Sequence, residues 1–204
     1  EKSQLVEISS YAFSKTSIRQ ITIPSSVKII GNSAFESCED LSFVEFAENS
    51  QLEEIQFDAF KKTCLYEIKI PQSVKRIGYG AFYDCNLEKS VDIPENSNLE
   101  EIGIYAFCYC KFEKFYIPPK LKNGELFLIR NANLTEISIS SENKNFCFYD
   151  NKYLLSKSDD NNEIYDILLL AQRNIVNAVI PSFITKISDY AFCDCSKLKS
   201  IDFS

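Results

Sequence analysis

Apolar residues fall in a fixed order along this chain. Ile18, Ile21, Ile23, Val27, Ile30, Ala34 and Phe35 come with a Pro at 24, a Gly at 31 and a Cys at 38. The same order returns 47 residues later (65 − 18) as Leu65, Ile68, Ile70, Pro71, Val74, Ile77, Gly78, Ala81, Phe82 and Cys85. The Ala-Phe pair alone recurs at Ala12, Ala34, Ala59, Ala81, Ala106 and Ala191, each followed by Phe. Spacings between the first five are 22, 25, 22 and 25 residues (34 − 12, 59 − 34, 81 − 59, 106 − 81). A period of this length marks one supersecondary unit, too small to bury its own apolar face, stacked into a solenoid.

Within each unit one stretch alternates apolar and polar positions at its end and is rich in branched and aromatic residues, which predicts a short strand. These stretches are 18–23, 41–46, 65–70, 112–117, 134–139 and 198–203. Each ends at a Pro or a polar turn, which stops the strand and bends the chain. Strand starts at Ile18, Leu41, Leu65, near Val91, and at Phe112, Leu134, Ile175 and Leu198 predict about eight turns. In alternate units a longer turn, at 47–51 and again at 95–98, replaces the Pro-Ser-Ser step.

The runs Ile21-Thr22-Ile23-Pro24-Ser25-Ser26-Val27 and Ile77-Gly78-Tyr79-Gly80-Ala81-Phe82-Tyr83-Asp84-Cys85 resemble the leucine-rich repeat of the BspA-like surface antigens. The resemblance covers nearly the whole chain. It implies a right-handed solenoid with a concave parallel sheet and short strands, turns or helical turns on the convex side. It also implies use on microbial or protozoan surfaces for attachment to host cells and matrix. The block 121–130 departs from the pattern, being shortened and carrying Leu126 and Phe127 in place of Ala-Phe.

One stretch breaks the period. From Leu134 to Ile175 is 41 residues (175 − 134) where a single unit needs about 23, an excess near 18. Apolar runs around Phe146, Phe148, Tyr153 and Leu155, then Ile164 to Leu170, flank turns at Asp150-Asn151 and at 158–162. That pattern predicts a β-hairpin or small antiparallel meander. The expected organisation is one leucine-rich-repeat domain, 1–204, with an irregular insertion at 141–174 that serves structure or adds binding surface.

Composition narrows the function. With 22 basic and 29 acidic residues the net charge is −7, which disfavours nucleic acid and anionic membrane surfaces, since both reward clustered Lys and Arg. The chain has no His, so the commonest general base is missing, and its five Gly form no phosphate-cradling loop. Glu53-Glu54, Glu100-Glu101 and Asp159-Asp160 are neighbours in sequence, not carboxylates facing across a cleft. The expectation is therefore a non-enzyme without cofactor or metal. Of eight Cys, Cys38, Cys85, Cys110 and Cys195 stand three residues after the repeat Phe, and Cys64 one residue further from Phe60. Interior thiols are the leading reading of this slot, with disulfides and a metal site as alternatives.

Binding, rather than catalysis, can be assigned to residues. Alternation turns one side of each strand outward, which predicts one outward row of Gln20, Phe43, Glu67, Ser90, Lys114 and Glu136. The neighbouring row is Thr22, Glu45, Lys69, Asp92, Tyr116 and Ser138. From these, Phe43, Glu45, Glu67, Lys69, Asp92, Lys114 and Tyr116 are the ligand-binding candidates, the two aromatics as anchors. Asn133 heads the sequon Asn133-Leu134-Thr135 and is the glycosylation candidate.

The expected function is a protein-binding module of a cell-surface or extracellular protein, with a host matrix or cell-surface glycoprotein as partner by resemblance. The alternatives are a cytoplasmic interaction scaffold and a structural spacer. No run of 18 apolar residues predicts membrane insertion. Neither end of the array reads as a cap, so the chain is expected to be a piece of a longer protein or to self-associate through its ends.

Overall fold

The computed structural model describes residues 3–123, 127–128, 130–159 and 163–203. Each turn of the solenoid contributes one longer strand: β2 (Gln20–Ile23), β4 (Phe43–Phe46), β6 (Glu67–Lys69), β8 (Ser90–Asp92), β10 (Lys114–Ile117), β11 (Glu136–Ile139), β15 (Asn177–Ile180) and β17 (Ser200–Phe203). Eight such strands make eight turns, and no helix occurs among the described residues. A second side is built from two-residue strands. β1 (Glu7–Ile8), β3 (Ile29–Ile30), β5 (Glu54–Ile55), β7 (Arg76–Ile77) and β9 (Glu101–Ile102) form one parallel sheet in that order. Its inward residues, Ile8, Ile30, Ile55, Ile77 and Ile102, are all buried.

The third side is the Ala-Phe turn, neither strand nor helix, yet its backbone donors are paired. The amides of Ser33, Phe35 and Ser37 donate to the carbonyls of Phe57, Ala59 and Lys61 in the next turn at 2.7 to 2.8 Å. The intervening amides of Ala34, Glu36 and Cys38 donate back within their own turn. Ser33 and Ser37 have φ of 52° and 55°, and this left-handed conformation aims alternate amides along the stack. Non-glycine residues pay for that conformation, and the ladder of satisfied buried amides compensates.

Inside the ladder runs a column of rings. Phe13, Phe35, Phe60, Phe82 and Phe107 stack with centroids 5.0 to 5.3 Å apart and planes within 5°. The column ends at Phe107, which meets Phe112 edge-on at 6.0 Å. The cause is the shortened block. The Phe107 amide donates to the Phe127 carbonyl, so Phe127 fills the slot held elsewhere by Ala, and Leu128 that of Phe. This shifts the expected Leu126-Phe127 register by one residue; Leu126 itself lies outside the described residues.

A second correction concerns Cys64. It is exposed, while Thr63 occupies the buried slot three residues after Phe60. The spacing rule of three residues holds and the hydroxyl takes the place of the thiol.

After β11 come β12 (Phe146–Tyr149), β13 (Tyr153–Ser156) and β14 (Ile167–Ala171), joined antiparallel in sequence. Asp150 and Asn151, both with left-handed φ near 50°, turn the chain between the first two. The turn expected at 158–162 lies partly outside the described residues. β14 then pairs parallel with the short strand β16 (Lys186–Ile187), so one antiparallel strand, β13, has been spliced into the two-residue-strand side. This splice divides the core. Leu154, Leu169 and Leu170 join the interior of the earlier turns, and Tyr153, Leu155 and Leu168 join a second cluster with Ile175, Ala178 and Ile180.

Candidate functional site

The long-strand side carries the outward residues, and their register follows from parallel pairing. Gln20 faces Phe43 and Thr22 faces Glu45 between β2 and β4; Glu67 faces Ser90 and Lys69 faces Asp92 between β6 and β8. Lys114 faces Glu136 and Tyr116 faces Ser138 between β10 and β11.

The side is not one continuous sheet. Strands pair two by two, and pairing stops between β4 and β6 and between β8 and β10. Turn length tracks the alternation. Paired neighbours start 22 or 23 residues apart (136 − 114, 43 − 20, 90 − 67), and strands across these two breaks start 24 apart (67 − 43, 114 − 90). The breaks follow β4 and β8, the strands that lead into the longer turns.

Each break opens a shallow groove. The first, about 570 Å³, is lined by Phe43, Glu45, Glu67 and Lys69 and floored by Val44 and Ile70. The second, about 410 Å³, is lined by Asp92, Lys114 and Tyr116 together with Ser90 and Glu136. Phe43 is 47% exposed. Tyr116 differs from its expected role as a free anchor, being half-buried and packed on the core.

The charges in the grooves are largely spoken for. Glu67 pairs with Lys89 at 2.6 Å and Lys114 with Glu136 at 2.7 Å, both at the surface. Those hydrogen bonds raise the pKa of Lys89 and of Lys114, each held firmly protonated. Thr22 donates to Glu45 at 3.3 Å. Lys69 and Asp92 stand side by side in register. Asn133 is exposed, and its amide nitrogen donates to the Lys111 carbonyl at 3.0 Å.

The arrangement offers side chains of both signs beside one aromatic ring and no nucleophile with an attached base. Among the described residues no group of three or more His, Cys, Asp or Glu is placed to hold a metal ion. Strand alternation located the outward rows but gave no sign of the breaks, whose signal lies in the strand spacing. It also missed a tyrosine-lined groove on the Ala-Phe turn side, because those tyrosines sit on turns, where alternation says nothing.

Comparison with known proteins fits this architecture. The BspA type leucine rich repeat region matches residues 2–88 and 77–199 in six copies. The pneumococcal vaccine antigen PcpA is similar at 28% identity with a TM-score of 0.86, over 98% of this chain and 50% of that one. A leucine-rich repeat protein from Eubacterium ventriosum superposes with a TM-score of 0.76 at 24% identity, over 91% of this chain and 47% of that one. A leucine rich cell surface protein from Faecalibacterium prausnitzii gives 0.70 at 20% identity, over 98% and 65%. The last two likenesses show the fold alone. This chain thus spans about half the length of the first two proteins. No curated protein matches it in sequence. With family repeats over nearly all of its length, the chain belongs to the BspA-type leucine-rich repeat family.

Proposed function

We propose that this segment is a non-catalytic protein-binding module of a cell-surface protein and that it engages host cells or extracellular matrix through its long-strand side. The observation that carries the reading is the grouping of the seven candidate side chains into the two grooves where strand pairing stops. Each groove combines mixed charge with an aromatic ring, the composition of a protein interface rather than of a small-molecule pocket. The surface location is supported by likeness to PcpA, a vaccine antigen, and by the family match.

The test is binding of the purified chain to immobilised matrix glycoproteins and to host cells, beside a Phe43→Ser, Lys69→Glu variant. Both positions are exposed, so the variant keeps its fold. Saturable binding that the variant loses is the expected result. Binding unchanged in the variant removes the first groove from the reading, and absence of binding by either protein favours the spacer or scaffold alternatives.

A further inference from the structure

The Ala-Phe turn side carries a larger groove than either break, about 810 Å³, and tyrosine dominates its wall. Tyr79 stacks on Phe57 at 5.3 Å and meets Tyr105 edge-on at 5.3 Å; Tyr83 meets Tyr109 edge-on at 5.4 Å; Tyr190 closes the far end. The rings hold one another in corners, yet Tyr79, Tyr109 and Tyr190 each leave 44 to 45% of their area open to solvent. These rings are no part of the buried core, so packing does not account for five tyrosines converging on one groove.

Its charge also departs from that of the chain. Lys61, Lys62 and Arg130 against Asp58 and Asp84 give the lining a net charge of +1 (3 − 2), on a molecule of net −7. Asp58 is committed to Lys61 at 2.6 Å, and Lys61 lies over the Tyr83 ring at 5.7 Å. Arg130 lies over the Tyr109 ring at 6.0 Å; no carboxylate among the described residues forms an ion pair with it, although Cys193, Tyr109 and Asp194 are near enough to raise its pKa. Its planar fork of donors fits a carboxylate. Arg130 is thus the cation that the groove has left to offer an anionic ligand.

The backbone here excludes strand addition. A peptide that adds as a strand binds by pairing with free amides and carbonyls, and this turn side has spent its own. The amides of Gly80, Phe82 and Asp84 already donate to Ile104, Ala106 and Cys108 in the next turn at 2.8 to 3.1 Å. What the groove offers instead is flat ring faces, phenolic hydroxyls and a guanidinium, which suit the C–H faces, hydroxyls and carboxylates of sugar rings.

We propose that this groove binds an acidic oligosaccharide, with sugar rings laid against Tyr79 and Tyr109 and a carboxylate at Arg130. The site is separate from the long-strand grooves, so it stands whatever those bind.

The chain has eleven Tyr and no Trp, and five of those Tyr line the groove, so its intrinsic emission includes a large share from these rings. Hyaluronan and alginate hexasaccharides, both carboxylated, would be titrated into the full chain by tyrosine emission and by calorimetry. Neutral chitohexaose and a hexaglutamate peptide serve as comparisons. Expected is saturable binding of a carboxylated sugar, weakened at least about tenfold in a Tyr79→Ala, Tyr109→Asn variant and also weakened by Arg130→Gln. Asn tolerates the left-handed φ of 60° at position 109, and an unchanged melting midpoint certifies the fold. The Phe43→Ser, Lys69→Glu variant should bind as the parent does. No binding of either carboxylated sugar, equal affinity in the tyrosine variant, or equal affinity for chitohexaose or hexaglutamate would overturn the proposal.

Discussion

The Thr63 hydroxyl lies 3.2 Å from the Cys85 sulfur, although the two residues belong to successive turns. Both also donate to one acceptor, the Phe60 carbonyl, at 2.9 Å. The arrangement repeats two turns earlier, where Thr16 and Cys38 converge on the Phe13 carbonyl at 2.8 and 2.9 Å. The slot after the repeat Phe therefore selects a small side chain able to donate a hydrogen bond, the threonines to the Phe carbonyl of their own turn and the cysteines to that of the preceding turn. Cysteine meets that need with less desolvation cost than serine, since its S–H is a weak donor on a largely apolar body.

Reactivity follows from this placement. Burial pushes the Cys85 thiol up to about 12 and holds Cys110 well above the usual thiol range. The thiolate is the reactive species, so neither reacts while folded. Titration of native protein with a thiol reagent at pH 8 should modify Cys64 at once, the half-buried Cys147 and Cys193 more slowly, and the five buried thiols only after denaturation. Rapid modification of Cys85 in native protein, read by peptide mapping, would contradict the hydrogen-bonded slot.

Gly78 exposes how closely the turns approach. A Cβ built there would sit 2.7 Å from the Gln56 carbonyl carbon and 2.8 Å from the Phe57 nitrogen, both backbone atoms that cannot step aside. The close approach is what lets the Gly78 amide reach the Ile55 carbonyl at 2.7 Å. Gly78→Ala should therefore destabilise by roughly 3 kcal/mol, at the upper end of overpacking costs. Urea unfolding measures this, and a loss below about 1 kcal/mol would mean that the stack can loosen locally.

Much of this architecture is legible in the sequence, because a repeat states the same instruction several times over. Ile21, Val44, Ile68 and Val91 mark the inward side of the long strands without reference to coordinates. The two-residue strands are not legible, since Ile30 or Ile55 supplies a single inward residue and alternation needs at least two. The turn ladder escapes for a different reason. Tyr105, Tyr109 and Tyr190 adopt left-handed φ that nothing in their chemistry favours. The tyrosine groove was hidden along with them, since it depends on turns 105–109 and 190 meeting across the shortened block.

The ring column should behave as a continuous object. Phe60 is fully buried between Phe35 at 5.0 Å and Phe82 at 5.3 Å. Phe60→Ala removes both contacts and leaves a cavity that fixed backbone ladders on either side cannot close, so a loss of about 3–5 kcal/mol is expected. Phe43→Ala, on the exposed side, should stay within about 0.5 kcal/mol of the parent. Chemical denaturation of the two variants distinguishes core from surface. Similar losses in both would mean that Phe43 packs in solution far more tightly than its exposure indicates.

Asp166 ties the inserted strands to the last turns of the solenoid. Its carboxylate accepts from the Thr185 hydroxyl at 2.8 Å and from the Ser158 hydroxyl and amide at 2.8 and 2.9 Å. Those hydrogen bonds, Thr185 first, hold its pKa below the ordinary carboxylate value. A group whose folded pKa is depressed gives up its proton more readily in the folded state than in the unfolded one. Its contribution is complete above the ordinary range near ~4 and is lost as pH falls through the folded value. Asp166→Asn keeps the shape and removes the charge. The difference in melting midpoint between parent and variant should be widest at pH 6 to 7 and shrink steadily below about pH 4. A gap that stays constant from pH 6 down to 3 would show that shape, not the ionised carboxylate, makes this link.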